Sequence, residues 1–548
     1  RTLYIMKKIA IITLLSIAGI CSYAQNAYDA LMFSENDYEG TARTMAMGNA
    51  FTALGGDIGS IGLNPAGSAV AKYSQISFTP AFSISASKTQ GVSPYEDGYL
   101  PYFENTNKSS MTRFGMPSFG LSFNWDTNRQ TGLKNMSFGF IVNRTATYDE
   151  DVYASGTNST TSFMGALAYD ASINGYLADD LNAEDAYDFM PWKSVVGYQS
   201  KMISTFGDFN DQYVGASELI FDNGDISVGG PLNQYSGRRV TGNKYDYLIN
   251  VSANISDLVY IGANLGITSI EYDYREYFIE EAMDPNDFEI TLSSGEAMYF
   301  DNMQYKNSYS ASGNGFYGKF GVLVTPGSGL RIGAAIQTPT VNNITEYWQQ
   351  AGETNFTDSK YNGFASSPEG RGGYTMVSPF RFNAGLAYAL GNFGVVSADY
   401  EICNYGQMKY KSTNFSDREY FEGINEDIRS RFGNSHMLRI GAEVKPISEM
   451  ALRVGYGLKT SAEKYNVWGE ELDPEKTQNL SFGIGYSSKK SFFADLAARR
   501  TFLPDEYFMP YEDYIFDADG NVDPNFFAPE ILNERSMWKI LLTLGWRF

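Results

Sequence analysis

The chain has 548 residues, a formal net charge of -22, one histidine and only 19% charged residues. That acidity excludes binding to a phosphate backbone, which needs clustered Lys and Arg. A lone histidine leaves little for acyl transfer or hydrolytic metal chemistry, so no enzyme and no cofactor is expected. Aromatics at 15% and 54 glycines suit strands, turns and interfacial belts.

In chain order, residues 1–5 read as upstream sequence and residues 6–24 as a secretory signal. Met6-Lys7-Lys8 is the positive start, Ile9 to Ile20 the apolar run, and Ser22-Tyr23-Ala24 the small-x-small site before Gln25. Ile20 argues against lipidation of Cys21, which leaves Cys403 as one free thiol, with no internal disulfide and no cysteine metal site. Beyond the signal no run of about 18 apolar residues occurs, so a membrane would be crossed by strands. Residues 25–74 show little alternation and are rich in small residues. They are either a periplasmic tail or a plug within a lumen.

From residue 75 the sequence alternates with period 2. Strands are expected near 75–88, 116–125, 135–149, 243–255, 257–273, 305–325, 329–348, 372–390, 392–412, 432–445, 449–463, 476–488, 490–503 and 535–548. In the last, Trp538, Ile540, Leu542, Leu544, Trp546 and Phe548 share one face, opposite Lys539, Thr543, Gly545 and Arg547. Short connections such as Ser256-Asp257 and Gly391-Asn392 alternate with long ones, 150–242 being the longest. The fold class is therefore all-β: a transmembrane antiparallel β-barrel of about fourteen strands over 75–548, with short periplasmic turns and long extracellular loops. The terminal aromatic Phe548 is expected to engage the barrel assembly machinery, and outer-membrane lipid to cover the wall. A monomer is expected.

The most specific stretch runs from Gly40 to Ala69, GTARTMAMGNAFTALGGDIGSIGLNPAGSA. Its glycines allow tight turns and close approach to a wall, and Asn64-Pro65 marks a turn. With its Ala-Arg pair, Met-Gly-x-Ala turn and Asn-Pro-Ala-Gly, it resembles the N-terminal region of the FadL/TodX family of outer-membrane transport proteins. The matching residues are Ala42, Arg43, Met47, Gly48, Ala50, Gly55, Asp57, Asn64, Pro65, Ala66 and Gly67. The resemblance implies that residues 25–74 form a hatch inside the lumen. It also implies passive transport of a hydrophobic or amphipathic small molecule, long-chain fatty acids being the type substrate. In that family release runs sideways near a kinked third strand, here around Ser137-Phe138-Gly139. Related barrels with the same motif include secretion shuttles, so a docking or interaction barrel is the alternative, and a haem-type receptor another.

Arg331, Arg381, Arg439 and Arg453 fall on the lumen face, where a guanidinium could meet a ligand carboxylate or join a structural ion-pair network. Phe163, Leu167, Phe189 and Trp192 in loop 150–242 are either a capture groove for a greasy ligand or a loop packed on itself. His436 should face outward. The acidic turn Asp517 to Asp523 departs from a calcium loop at Val522 and reads as an Asp-Gly hairpin turn.

Overall fold

The computed structural model describes residues 26–93, 102–221, 226–292, 294–412, 416–465, 471–489, 491–516, 520–523 and 525–548. The expected signal over 6–24, Cys21 and the Asp517-Ala518-Asp519 part of the acidic turn lie outside them.

The wall comprises β1 (Gln75–Val92), β2 (Asn107–Asp126), β3 (Leu133–Thr147) continued by β4 (Glu150–Asn158), β5 (Leu232–Ile255), β6 (Val259–Ala282) and β7 (Ala297–Gly327). It continues with β8 (Leu330–Gln337) and β9 (Val341–Phe356), then β10 (Gly370–Val377) and β11 (Arg381–Ala389), then β12 (Gly394–Asn404) and β13 (Lys409–Lys411). It ends with β14 (Asn434–Ile447), β15 (Met450–Thr460), β16 (Lys476–Ser487), β17 (Phe492–Phe502) and β18 (Glu530–Arg547). Taking β3 with β4, β8 with β9, β10 with β11 and β12 with β13 as continuous staves, fourteen antiparallel strands close into a ring. The closing pair is β1 with β18, Gln75 opposite Arg547 and Ile76 opposite Trp546.

Alternation decides what each face meets. On β18 the outward Trp538, Ile540, Leu542 and Trp546 stay about two-fifths exposed, whereas the inward Lys539 and Thr543 are fully buried. Ile249 and Val251 on β5, Ile261 and Leu265 on β6, and Phe316 and Phe320 on β7 extend this apolar belt. Above it the outward residues turn polar, as in Glu271 and Arg275 of β6. β7 has 31 residues, where about 9–11 suffice to cross a bilayer. A single-chain closed barrel with such a belt is an outer-membrane protein of a Gram-negative-type cell, and β5 to β7 rise well beyond its bilayer.

Prolines interrupt the wall where the ladder needs a donor. The β1–β2 register shifts between Thr79 and Ala81, so β2 carries an extra residue at Met116-Pro117. Below this bulge Phe123 and Trp125 face outward, and above it Phe114 does. The β2–β3 ladder runs only from Asp126 opposite Asn135 to Ser118 opposite Asn143. Ser137-Phe138-Gly139 is therefore paired on both sides, with β2 and with β5. The departure lies further out, past Asn143. Pro339 and Pro379 likewise separate β8 from β9 and β10 from β11 at matched positions.

Inside the ring lie α1 (Ala27–Ser34) and α2 (Ala42–Ala46), followed by two 3-10 turns, Ile58–Gly62 and Pro65–Val70. Over the outer mouth, loop 150–242 contributes α3 (Phe163–Ile173) and α4 (Trp192–Gln199), and α5 (Ser416–Arg431) forms a lid.

Candidate functional site: the plugged lumen

The N-terminal segment enters at Ser74, whose backbone pairs with that of Phe548, and fills the lumen to its outer end. Near the periplasmic end Asn64 caps the second 3-10 turn by accepting from Ala66 N at 3.1 Å. Its amide donates to Thr52 O at 2.7 Å and to Val322 O of the wall at 3.1 Å. Pro65 stands at the first position of that turn, where no donor is needed. Asp57 caps the first turn through Gly59 N at 2.9 Å and accepts from Thr41 Oγ1 at 2.8 Å. Ala66 and Gly67 are buried. The wall answers with glycine: a Cβ on Gly321 would meet Asn64 Oδ1 at 2.0 Å, and one on Gly455 would meet Gly48 N at 2.0 Å. Gly48 itself adopts φ 62, the left-handed region. Only glycine lets plug and wall approach so closely.

Charges tie the segment down at two further levels. Ala42 N donates to Thr543 Oγ1 at 2.7 Å. Arg43 grips Glu443 with two nitrogens, at 2.9 and 3.2 Å, and Arg453 joins the same carboxylate at 2.6 Å and Asp495 at 2.5 Å. At mid-lumen Lys539 stands between Asp37, at 2.8 Å, and Glu39, at 2.7 Å. Arg499 also holds Asp37, at 2.5 Å, and Arg144 holds Glu39, at 2.7 Å. Lys319 and Arg439 each lie 5.7 Å from the Tyr38 ring centre.

The four lumen arginines are thus engaged within the closed structure. Arg331 donates to Leu54 O at 2.7 Å. Arg381 pairs with Glu401 at 3.0 Å and donates to Ser34 O and Tyr405 Oη. Arg439 reaches Glu401 at 2.7 Å and leaves Nε and Nη1 unpartnered. Arg453 belongs to the Glu443 cluster. Their positions on the inner face are legible in the sequence; their partners are not, because each lies on another strand or in the plug.

Higher up, the lumen is greasy. Phe33 of α1 packs edge-on to Tyr148 and Tyr272, with ring centres 6.3 and 5.9 Å apart. Ile344, Met376 and Met408 join it under the lid, together with Phe421 and Ile428 of the lid itself. In the cap Phe163 and Leu167 are buried in a core shared with Phe278 and Tyr305, Trp192 lies 5.9 Å from Trp348, and Phe189 stays half exposed. Glu218 is buried there, accepting from Gly215 N at 2.8 Å and Tyr514 Oη at 3.2 Å. Burial pushes its carboxyl up to about 7, against those two bonds. The cavities found at the periplasmic mouth, of about 220 and 160 Å³, are lined by Arg43, Glu443 and Lys445. The mid-lumen cavity beside Phe33 and Arg381 is about 10 Å³, too small for any solute. His436 faces outward with Nδ1 2.6 Å from Tyr400 Oη.

No family model matches the chain, and no curated protein does. Among solved structures, it is similar to a FadL homologue, a toluene transporter and a hydrocarbon channel. A FadL homologue of Pseudomonas aeruginosa is 10% identical over 93% of this chain and 99% of that one, with a TM-score of 0.49. The toluene transporter TodX of P. putida is 13% identical over 93% and 99%, also at 0.49. The CymD monoaromatic hydrocarbon channel is 10% identical over 93% and 97%, at 0.44. The architecture itself rests on the strand ladder.

Proposed function

We propose that the protein is a passive transporter of hydrophobic or amphipathic small molecules, of long-chain fatty-acid type, whose N-terminal segment 25–74 is a gating hatch. The observation that carries this reading is the plug, anchored by charge at the periplasmic half and by apolar contact at the outer half. A general porin has no use for such a filling, and a greasy outer lumen suits a greasy solute. Two of the similar structures are a toluene transporter and a monoaromatic hydrocarbon channel. Loop 150–242 supplies the capture surface through the half-exposed Phe189, with Phe163, Leu167 and Trp192 packed beneath it. Arg331, Arg381, Arg439 and Arg453 meet the solute carboxylate once the hatch shifts. Lateral release belongs with the stretch of β2 from Asn107 to Pro117, which pairs with β1 but not with β3.

Planar-bilayer conductance tests the gate. The intact protein should be nearly silent, and a variant lacking 26–66 should insert and show stable open steps, since a fourteen-stranded wall encloses more space than its own side chains fill. Conduction by the intact protein at porin level sinks the hatch. The buried Phe163 and Leu167 favour a second reading, a docking barrel with a folded cap; that reading gains if laurate fails to bind while a periplasmic protein crosslinks to the mouth around Lys445.

A further inference from the structure

In the ion-paired layers of the lumen the carboxylates meet cations: Asp37, Glu39, Glu401, Glu443 and Asp495 all do. The outer lumen breaks this pattern. Glu346, on the inward face of β9, is fully buried at 0% exposure. Its Oε2 accepts from Tyr309 Oη at 3.0 Å, and its Oε1 has no hydrogen-bond partner. That oxygen points toward Gly372 of β10, where a Cβ would stand 3.0 Å from it. The neighbouring strand offers it no donor. Asp29, in the first turn of α1, spends one oxygen on Asn26 N at 3.0 Å and lies within electrostatic reach of Glu346, Tyr309, Tyr374 and Tyr410. No cationic side chain acts on either carboxyl among the described residues.

Aromatic rings line the same stretch of the outer lumen. Tyr374 and Tyr410 stand with ring centres 5.0 Å apart at 64°, and Tyr272 and Tyr309 6.0 Å apart at 64°. Tyr410 Oη donates to Asn26 O at 3.0 Å, which ties the rings to the start of α1. A fully buried carboxyl, Glu346, beside a partly buried one, Asp29, is costly without a counter-charge, and the cost is relieved when a cation enters. Tyrosine faces attract an ammonium ion through the ring quadrupole, most strongly when it is stripped of water. A bare metal ion is served less well, because ring faces give it no lone pairs, and no group of three or more His, Cys, Asp or Glu suited to a metal occurs among the described residues.

We propose that this stretch of the outer lumen, between α1 and β7, β9 and β10, binds an organic ammonium ion, with Asp29 and Glu346 as its counter-charges and Tyr309, Tyr374 and Tyr410 as its walls. The inference goes beyond the transport reading, which needs no charge here; if both hold, the solute is an amphiphile with a cationic head.

Calorimetry on the full-length protein in non-ionic detergent tests it, with choline chloride, its neutral isostere 3,3-dimethylbutan-1-ol, and laurate run in parallel. Choline should bind saturably and the isostere should not. Glu346→Gln and Asp29→Asn should each weaken choline at least tenfold, and Glu346→Gln should raise the melting temperature of the ligand-free protein, which a merely structural carboxylate would lower. Equal binding of choline and isostere, no choline binding, or unchanged affinity in Glu346→Gln overturns the proposal. Displacement of choline by equimolar Ca²⁺ also overturns it, by reassigning the site to a metal. If the variants do not fold, the choline and isostere titrations of the unaltered protein still decide. Laurate binding without choline binding defeats this inference alone; choline binding without laurate binding defeats the fatty-acid reading alone.

Discussion

The two halves of the plug are held by different forces. The periplasmic half, from Asp37 to Gly67, is fixed by charge pairs, caps and backbone contacts against wall glycines. The outer half, α1, is held mainly by apolar packing of Phe33 and its neighbours under the lid, with Lys244 and Arg381 gripping the Phe33 and Ser34 carbonyls at its last turn. Charge pairs are directional, and strained geometry forfeits them at once. Apolar contacts tolerate sliding and exchange of one greasy surface for another. The outer half is thus the part a hydrophobic solute can replace, and the inner half the part that keeps register.

The largest effect should come from Lys539→Met, which leaves Asp37 and Glu39 to share Arg499 and Arg144. Removing one partner of a buried pair costs about 3–5 kcal/mol, read as a lower urea midpoint together with new conductance. Unaltered conductance would mean that the charges do not hold the plug. Phe33→Ala should cost about 3 kcal/mol. Hydrogen exchange should rise in α1 and the lid and stay unchanged over Arg43 to Gly67; spread to the lower half would erase the contrast drawn above.

A smaller effect concerns pH in the cap. The Glu218 carboxyl is raised to about 7 in the folded protein from an ordinary value of about 4.5. Its stabilising share is therefore complete below about pH 4.5 and is lost as the pH climbs to about 7. Limited proteolysis of loop 150–242 should quicken over that interval, and Glu218→Gln should flatten the profile. His436→Ala should change stability by no more than about 0.5 kcal/mol and leave ligand titrations untouched; a loss of binding with normal folding would reopen imidazole ligation of haem.

Strand number and the alternation of short and long connections were legible because both are local patterns. The upper part of β2 was not, since the extra residue at Met116-Pro117 reverses which parity faces outward and an alternation search stops there. Nor were the outer parts of β3 to β5 separable from loop 150–242, because β4 and the start of β5 lie above the bilayer and need no apolar face. The Gly40 to Ala69 motif announced close approach to a wall, and glycines such as Gly441 stood at inward positions of legible strands. The pairing that fixes the plug was out of reach. Asp37 and Lys539 lie 502 positions apart, and only closure of the ring brings them together. Ser137-Phe138-Gly139 misled because a lone glycine in a strand marks many things, while Pro117 on the neighbouring strand marks a missing donor.

The pairing of β1 with β18 also has a consequence for assembly. The plug lies wholly on the inner side of a seam formed by the first and last strands, and its far end sits beneath the lid. A finished ring offers no route for threading such a segment, with α1 leading, past the Lys539 and Glu443 layers. The sheet must therefore wrap around a plug already laid along it, and sealing of the seam becomes the committing event. Contacts of such sequence separation form late and slowly. A chain stalled before that event would present an open sheet edge and an unburied plug together, the form that periplasmic chaperones and proteases would meet.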